Sequence, residues 1–339
     1  MGSKSSMAGF GCGCLASVVV LFIVFCIMVA LFGALSGGRA VSGGDGPDGA
    51  PSFVETWVAG GGAKSPKVAR ISIKGEIESD GDTSFFSPVR EATAKGALER
   101  IRYVTDDDSF DGILFEIDSP GGGVTESDEL AHAIREFRES DTDRFVLVLM
   151  GDMCCSGGYY AAAPADYIMA RPTTVTGSIG VMMNGINAAK LAEKLGVESV
   201  PIASGANKNM LDPLRPVDPE HIKVLQRPVT KLYDRFVKVV AEGRGLSEET
   251  VRRLADGRVF VAEDALEAKL VDGIGYEEDA YDKLCELAGA DDVRVYRLDG
   301  EGGDLKSLLR EIYGACSGVA GGIRSAVRGG GVRAECIFR

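Results

Sequence analysis

Histidine is nearly absent from this chain: there are two in 339 residues, His132 and His221. So low a count excludes a histidine-rich metal site. Both lie in predicted helices of mixed polarity, where a surface or capping role is the default, and only His132 stays open as a base for a Ser-His-Asp triad. Positive charge is also short. Lys and Arg total 37 against 50 Asp and Glu, a net charge of −13, and no basic stripe with interleaved aromatics occurs. That excludes nucleic acid as the main partner. No Gly-Lys-Ser/Thr follows a Gly-rich loop, so there is no P-loop, and Gly121-Gly122-Gly123 is not a Gly-x-Gly-x-x-Gly turn. Of the eight cysteines, Cys12 and Cys14 lack the second half of a zinc site. A disulfide framework is not indicated, although Cys285, Cys316 and Cys336 could pair if exported. Neither a metal nor a cofactor is called for, and the folded part has no internal repeat.

A long uncharged apolar run occurs at the N-terminus, from Leu15 to Leu35. About twenty apolar residues span a bilayer core. The length predicts an uncleaved anchor rather than a signal peptide, although Ala34-Leu35-Ser36 keeps cleavage open. Lys4 precedes the run and Asp45 and Asp48 follow it, so the N-terminus is expected in the cytoplasm and the bulk of the chain outside. The expected organisation is a cytoplasmic N-terminus at 1–14, a single-pass anchor at 15–35, a flexible linker at 36–65, a folded domain at 66–300 and a tail at 301–339. The tail is Gly-rich and basic at its end, with Arg324, Arg328, Arg333 and Arg339 against Glu335.

Within the folded part, strands are predicted at Val68–Ile73, Gly112–Asp118, Phe145–Met150, Asp166–Ala170 and Glu198–Ile202, with Val175–Met182 as extended chain. Helices are predicted at Val89–Val104, Glu126–Arg138, Ala188–Leu195, Asp218–Glu242, Glu248–Ala255 and Ala262–Lys269, with a further one after Ser156. This alternation argues for an α/β fold with a largely parallel sheet. Such sheets bind ligands beyond the carboxyl ends of their strands. Both Gly-rich turns, 119–123 and 151–158, fall at such ends.

Ser156 sits where an apolar strand hands over to a helix, in Cys154-Cys155-Ser156-Gly157-Gly158-Tyr159. A hydroxyl there suits nucleophilic work, since the amides after it favour developing negative charge, although a Ser before Gly-Gly is more often a cap or turn residue. With so little histidine, its base would have to be something else. Lysine serves when desolvation lowers its pKa. Lys208, in the loop Ser204-Gly205-Ala206-Asn207-Lys208-Asn209-Met210, is the best candidate. The amides of the Ser119-Pro120-Gly121-Gly122-Gly123 turn and of Gly157 could hold an oxyanion.

Four segments, Asp118–Gly123, Cys155–Tyr160, Thr176-Gly177-Ser178-Ile179-Gly180-Val181 and Asp256-Gly257-Arg258-Val259, occur in that order. Together with Lys208 they resemble the signal peptide peptidase A family, in its short, single-domain, membrane-anchored bacterial form, over about Val68 to Asp279. The resemblance implies a ClpP/crotonase-like α/β fold. It also implies a Ser-Lys dyad endopeptidase in the cell membrane, acting on the outer or periplasmic side. Remnant signal peptides and other apolar peptides are the implied substrates, and a homo-oligomeric ring with shared active sites the implied assembly. By position, Ser156 matches the nucleophile, Lys208 the general base, Gly122 an oxyanion-hole donor with Gly157 a second, and Ser178 a hydroxyl that orients the lysine. Two residues depart from the family pattern. Cys154-Cys155 replaces small apolar residues before the serine, which raises thiol reactivity beside the site. Asn209 replaces an Asp after the lysine, which removes a carboxylate near the base. The rival readings are a crotonase-type acyl-CoA enzyme and an inactive membrane-tethered scaffold.

Overall fold

The computed structural model describes residues 53–78 and 93–300. The expected anchor and tail, and with them Cys12, Cys14, Cys26, Cys316 and Cys336, lie outside those residues. Among the described residues, no helix is long and apolar enough to cross a membrane.

Nine strands form one sheet: β1 (Phe53–Gly60), β2 (Lys67–Lys74), β3 (Gly112–Ser119), β4 (Phe145–Cys155), β5 (Tyr167–Ala170), β6 (Val175–Gly177), β7 (Val259–Val261), β8 (Gly273–Ile274) and β9 (Arg294–Gly300). Their order is β1-β9-β2-β3-β4-β5-β8, with β6 beside β4 and β7 beside β6. Only β1–β9 and β6–β7 pair antiparallel. Among the described residues the helices are α1 (Ala94–Asp106), α2 (Val124–Ser140), α3 (Gly157–Ala162), α4 (Ala189–Leu195), α5 (Pro219–Arg244), α6 (Glu248–Leu254), α7 (Ala262–Glu267) and α8 (Glu277–Leu287).

The central strands are apolar without interruption because both faces are covered. On β4, Val146, Val148 and Met150 face the large core built with α1, α2, α3 and α5, whereas Phe145, Leu147 and Leu149 face a smaller core under α8. On the α8 side Arg70 donates twice to Glu116, at 2.9 Å each, and once to Glu277 at 2.7 Å. That bridge ties β2, β3 and α8 together.

Two expectations need correction. The predicted linker contains β1, which pairs with β9 along the edge of the sheet. Its Gly-rich flanks mask a run, Phe53-Val54-Glu55-Thr56-Trp57-Val58, that becomes a strand only because β9 offers a partner. The predicted strand Glu198–Ile202 is loop instead. Val200 and Ile202 are 78% and 100% exposed, so no sheet edge reaches them and the backbone has no ladder to join. Strand β4 also runs past its predicted end, to Cys155. Between the pairs Ile117–Met150 and Ser119–Cys154 the register shifts, Asp118 on β3 facing Gly151, Asp152 and Met153 on β4. The bulge turns Asp152 and Met153 outwards, as bulges beside functional sites do. Asp118 secures it by accepting from the Met153 amide at 3.2 Å.

Candidate active site

The two strand ends that carry the serine motifs lie side by side. Strands β4 and β6 pair in parallel through Cys154–Thr176 and Cys155–Gly177, so the next residue on each is a serine, Ser156 and Ser178. Both adopt left-handed backbone, with φ of 49° and 50°. Non-glycine residues take that conformation at a cost of about 1–3 kcal/mol, so the surroundings must enforce it. They do. The Ser156 amide donates to Gly177 O at 2.8 Å, and the Ser178 amide donates to Arg258 O at 2.8 Å. The first bond joins the two serine turns. The second gives the Asp256-Gly257-Arg258-Val259 segment a task that its sequence does not reveal: it backs Ser178 from β7.

Ser156 is the N-cap of α3, which has six residues. So short a helix carries little dipole, and the argument for anion stabilisation shifts to individual amides. The glycine turn after β3 supplies one. A Cβ on Gly121 would lie 2.6 Å from Gly157 N and 2.8 Å from Ser156 Cβ, so the turn is packed against the serine. A Cβ on Gly157 would lie 3.2 Å from Gly122 N, which brings the two predicted amide donors together. The Gly121 carbonyl accepts from Ile77 N at 2.9 Å and the Gly123 amide donates to Ile77 O at 2.7 Å. Neither the Gly122 amide nor the Gly157 amide has a backbone acceptor among the described residues.

Buried hydroxyls fix the neighbouring backbone. Thr176 Oγ1 donates to Cys154 O at 2.6 Å, and Thr174 Oγ1 donates to Gly151 O at 2.7 Å. Tyr160 donates to Asp128 at 2.6 Å, and Arg235 of α5 grips the same carboxylate at 2.7 and 2.8 Å. The helix that Ser156 caps is thereby tied to α2 and α5. Burial raises the Asp128 pKa, but the bonds from Arg235 and Tyr160 outweigh it and hold the carboxyl below its ordinary value.

The cysteines do not raise reactivity beside the site. Cys154 is fully buried and Cys155 is 4% exposed, with its thiol against Val175 O at 3.4 Å. Burial pushes both thiols up, Cys154 strongly, which suppresses the reactive thiolate. His132 lies on an exposed face of α2 with its Nε2 3.4 Å from Glu136, and no hydrogen bond joins it to Ser156.

Lys208 is placed quite differently. It lies in an exposed turn, its amide donating to Gly205 O at 3.1 Å. Its side chain makes no hydrogen bond or ion pair among the described residues, and nothing links it to Ser156, Ser178 or the glycine turn. Its neighbour Asn209 is engaged: with the amide turned to suit both partners, Nδ2 donates to Ala206 O at 3.1 Å and Oδ1 accepts from Arg215 at 3.0 Å. The whole arm from Met182 to Val224 is loosely covered. It encloses a cavity of about 900 Å³ bordered by Met183, Ile186, Asn209, Arg215 and His221. Met182, Ile186 and Ile202 stand 76%, 87% and 100% exposed.

Sequence reasoning missed Ser119, Ser127, Thr174 and Thr176 as supports of the strand ends. Ser119 was visible as the first residue of the Ser-Pro-Gly-Gly-Gly turn and Thr176 as the first of the Thr-Gly-Ser-Ile-Gly-Val segment; Ser127 and Thr174 carry no local signal.

Comparison with known proteins bears on the same segments. The model of "Peptidase family S49" matches residues 138–291, a span that holds Ser156, Ser178 and Lys208. "Putative signal peptide peptidase SppA" of Enterococcus faecium is 38% identical over 243 residues, 71% of this chain and 70% of that protein. "Protease 4" of Haemophilus influenzae is 32% identical over 65% of this chain and 35% of its own length. Among solved structures, a ClpP1 mutant from Listeria monocytogenes overlays 62% of this chain and 92% of its own with a TM-score of 0.37 and 16% identity. An overlay that slight carries no argument, and the α/β assignment rests on the strand order itself. Identity sustained over most of a relative's length, together with the family match across the serine motifs, settles the affiliation: the chain belongs to peptidase family S49, the signal peptide peptidase A family of serine peptidases.

Proposed function

We propose that this serine peptidase is a membrane-anchored endopeptidase that cleaves apolar peptides, remnant signal peptides among them, with Ser156 as nucleophile and Lys208 as general base. The observation that carries the reading is the strained Ser156 at the end of β4, with the Gly122 and Gly157 amides close together beside it and without backbone acceptors. The names of the relatives supply the substrate class.

In this reading neutral Lys208 takes the Ser156 hydroxyl proton as Oγ bonds to the scissile carbonyl carbon. The carbonyl oxygen becomes an oxyanion held by the two glycine amides. The C–N bond then breaks, and the Lys208 ammonium gives its proton to the departing amine. Water attacks the acyl ester with Lys208 again as base, and the proton returns to Ser156 as the acyl–oxygen bond breaks. Ser178, held beside Ser156 by the β4–β6 pairing, orients the lysine.

Within one copy Lys208 has no contact with the serine. We propose that a second copy completes the site, in a ring of ClpP/crotonase-like subunits. The uncovered apolar side chains of the 182–224 arm support this, since an exposed surface of that kind marks an interface. A crotonase-type acyl-CoA reaction would leave Ser156 without a task, and a scaffold would not need the strained serine.

The test follows cleavage of a fluorogenic apolar peptide by the full chain in detergent. Ser156→Ala and Lys208→Ala are each expected to be folded and inactive, and mixing the two is expected to restore part of the activity. Activity in Lys208→Ala would overturn the base assignment, and inactive mixtures would overturn the shared site.

A further inference from the structure

We infer that Ser119, assisted by Ser127, is the positioning residue that aims the Gly122 amide at the oxyanion. The inference deepens the nucleophile reading above and rests on it. Ser119 ends β3 with no exposure to solvent, and Ser127 on the first turn of α2 is 1% exposed. Buried hydroxyls at such positions must be hydrogen-bonded. The Gly121 amide donates to Ser119 Oγ at 3.0 Å, and Ser127 Oγ donates to Gly123 O at 2.7 Å. These two bonds bracket Gly122 from either side.

Ile77 completes the enclosure, donating to Gly121 O and accepting from Gly123 N. Both polar groups of Gly121 and both of Gly123 are therefore committed. The Gly122 amide between them has no acceptor among the described residues, and it lies next to Gly157. Gly121 sits at φ 101°, and the Ser119 hydroxyl accepts from its amide. Without that acceptor the Pro120–Gly121 peptide plane loses its anchor, and the next plane, which carries the Gly122 amide, is left held by Ile77 alone. A hydrogen-bond donor stabilises an oxyanion only when it is aimed before the charge develops. Ser127 also limits the space at Gly157, where a Cβ would come within 2.3 Å of its Oγ. It therefore holds the second donor in the same grip.

Steady-state kinetics of the full chain in detergent would test this, alongside binding of a peptide aldehyde and the matching peptide alcohol. The aldehyde adds to the nucleophile and places an oxygen between the two amides; the alcohol does not. Ser119→Ala is expected to lower kcat about tenfold to hundredfold with KM within about twofold. Its aldehyde affinity should fall in parallel while its alcohol affinity is retained. Ser119→Thr keeps the acceptor oxygen and should restore most of kcat. Ser127→Ala should show the same pattern at about threefold, because the Ser127 amide still donates to Gly123 O. It also provides the test if Ser119→Ala does not fold. Unchanged kcat in the alanine variants, or equal loss of aldehyde and alcohol binding, would overturn the role. With Ser156→Ala inactive, an unchanged Ser119→Ala would sink the positioning role alone. Activity in Ser156→Ala would sink the nucleophile reading and this role with it.

Discussion

The strand-end cluster and the 182–224 arm are built by opposite means. At the cluster, Ser156, Ser178, Gly121 and Gly122 are packed into one another, and backbone strain is held by bonds from β3, β6 and β7. In the arm, Ile186, Val200 and Ile202 face solvent, and Lys208 has no side-chain hydrogen-bond or ion-pair partner among the described residues. One half of the proposed chemistry is thus complete within a single folded chain, and the other half is presented. Preorganised dipoles require rigid support. A base that arrives from a second copy requires a surface that is left uncovered until assembly.

The sharpest way to break this contrast is to put a side chain where the cluster has no space. Gly121→Ala would drive a Cβ to 2.6 Å from Gly157 N at a φ of 101°. It is expected to cost about 2 kcal/mol or more of stability in denaturant unfolding and to abolish peptidase activity. Retained activity would show that the turn is not part of the site. Lys208→Ala should produce the reverse separation, with activity falling about 10²–10⁴-fold and the melting temperature unchanged, because its side chain makes no hydrogen bond or ion pair among the described residues. A lower melting temperature for the isolated chain would contradict the arm's independence.

Ile202→Glu sharpens the point further. Ile202 is fully exposed, so the charge should leave chain stability unaltered, shift sedimentation towards smaller species and reduce activity about tenfold. Unchanged assembly would mean that this part of the arm is not covered by a second copy. The smallest effect concerns the loop behind Ser178. Hydrogen bonds from Arg258 lower the Asp256 carboxyl from 3.8 to about 2. A depressed carboxyl stabilises above its unfolded value, and that contribution is lost as pH falls through its folded value. Wild type and Asp256→Asn should therefore keep a constant stability difference above about pH 4, which closes between about pH 4 and 2. Unfolding curves across that range would reveal a flat difference if the ion pair were absent in solution.

The legible features were those encoded in contiguous residues. The buried run Phe145–Met150, the helix from Pro219 and the two glycine turns follow from periodicity and turn chemistry, and each stands close to where the pattern put it. The misreadings have a common cause. Phe53–Gly60 is a strand because β9, some 240 residues later, pairs with it, and Glu198–Ile202 is not one because no partner lies alongside. The thiols of Cys154 and Cys155 look reactive in sequence and are suppressed by burial that only the packed sheet provides.

The sequence by itself determined the alternation of strands and helices, the placing of both glycine turns at strand ends, and the candidates Ser156 and Lys208, because each depends on the chemistry of neighbouring residues. Tertiary structure alone decided which of these meet. The β4–β6 register sets Ser156 beside Ser178, and the packing of the glycine turn against Ser156 and Gly157 brings the Gly122 and Gly157 amides close together, while Lys208 stands apart. Such juxtapositions arise from hydrogen bonds and close contacts between segments distant along the chain, and no local pattern records them.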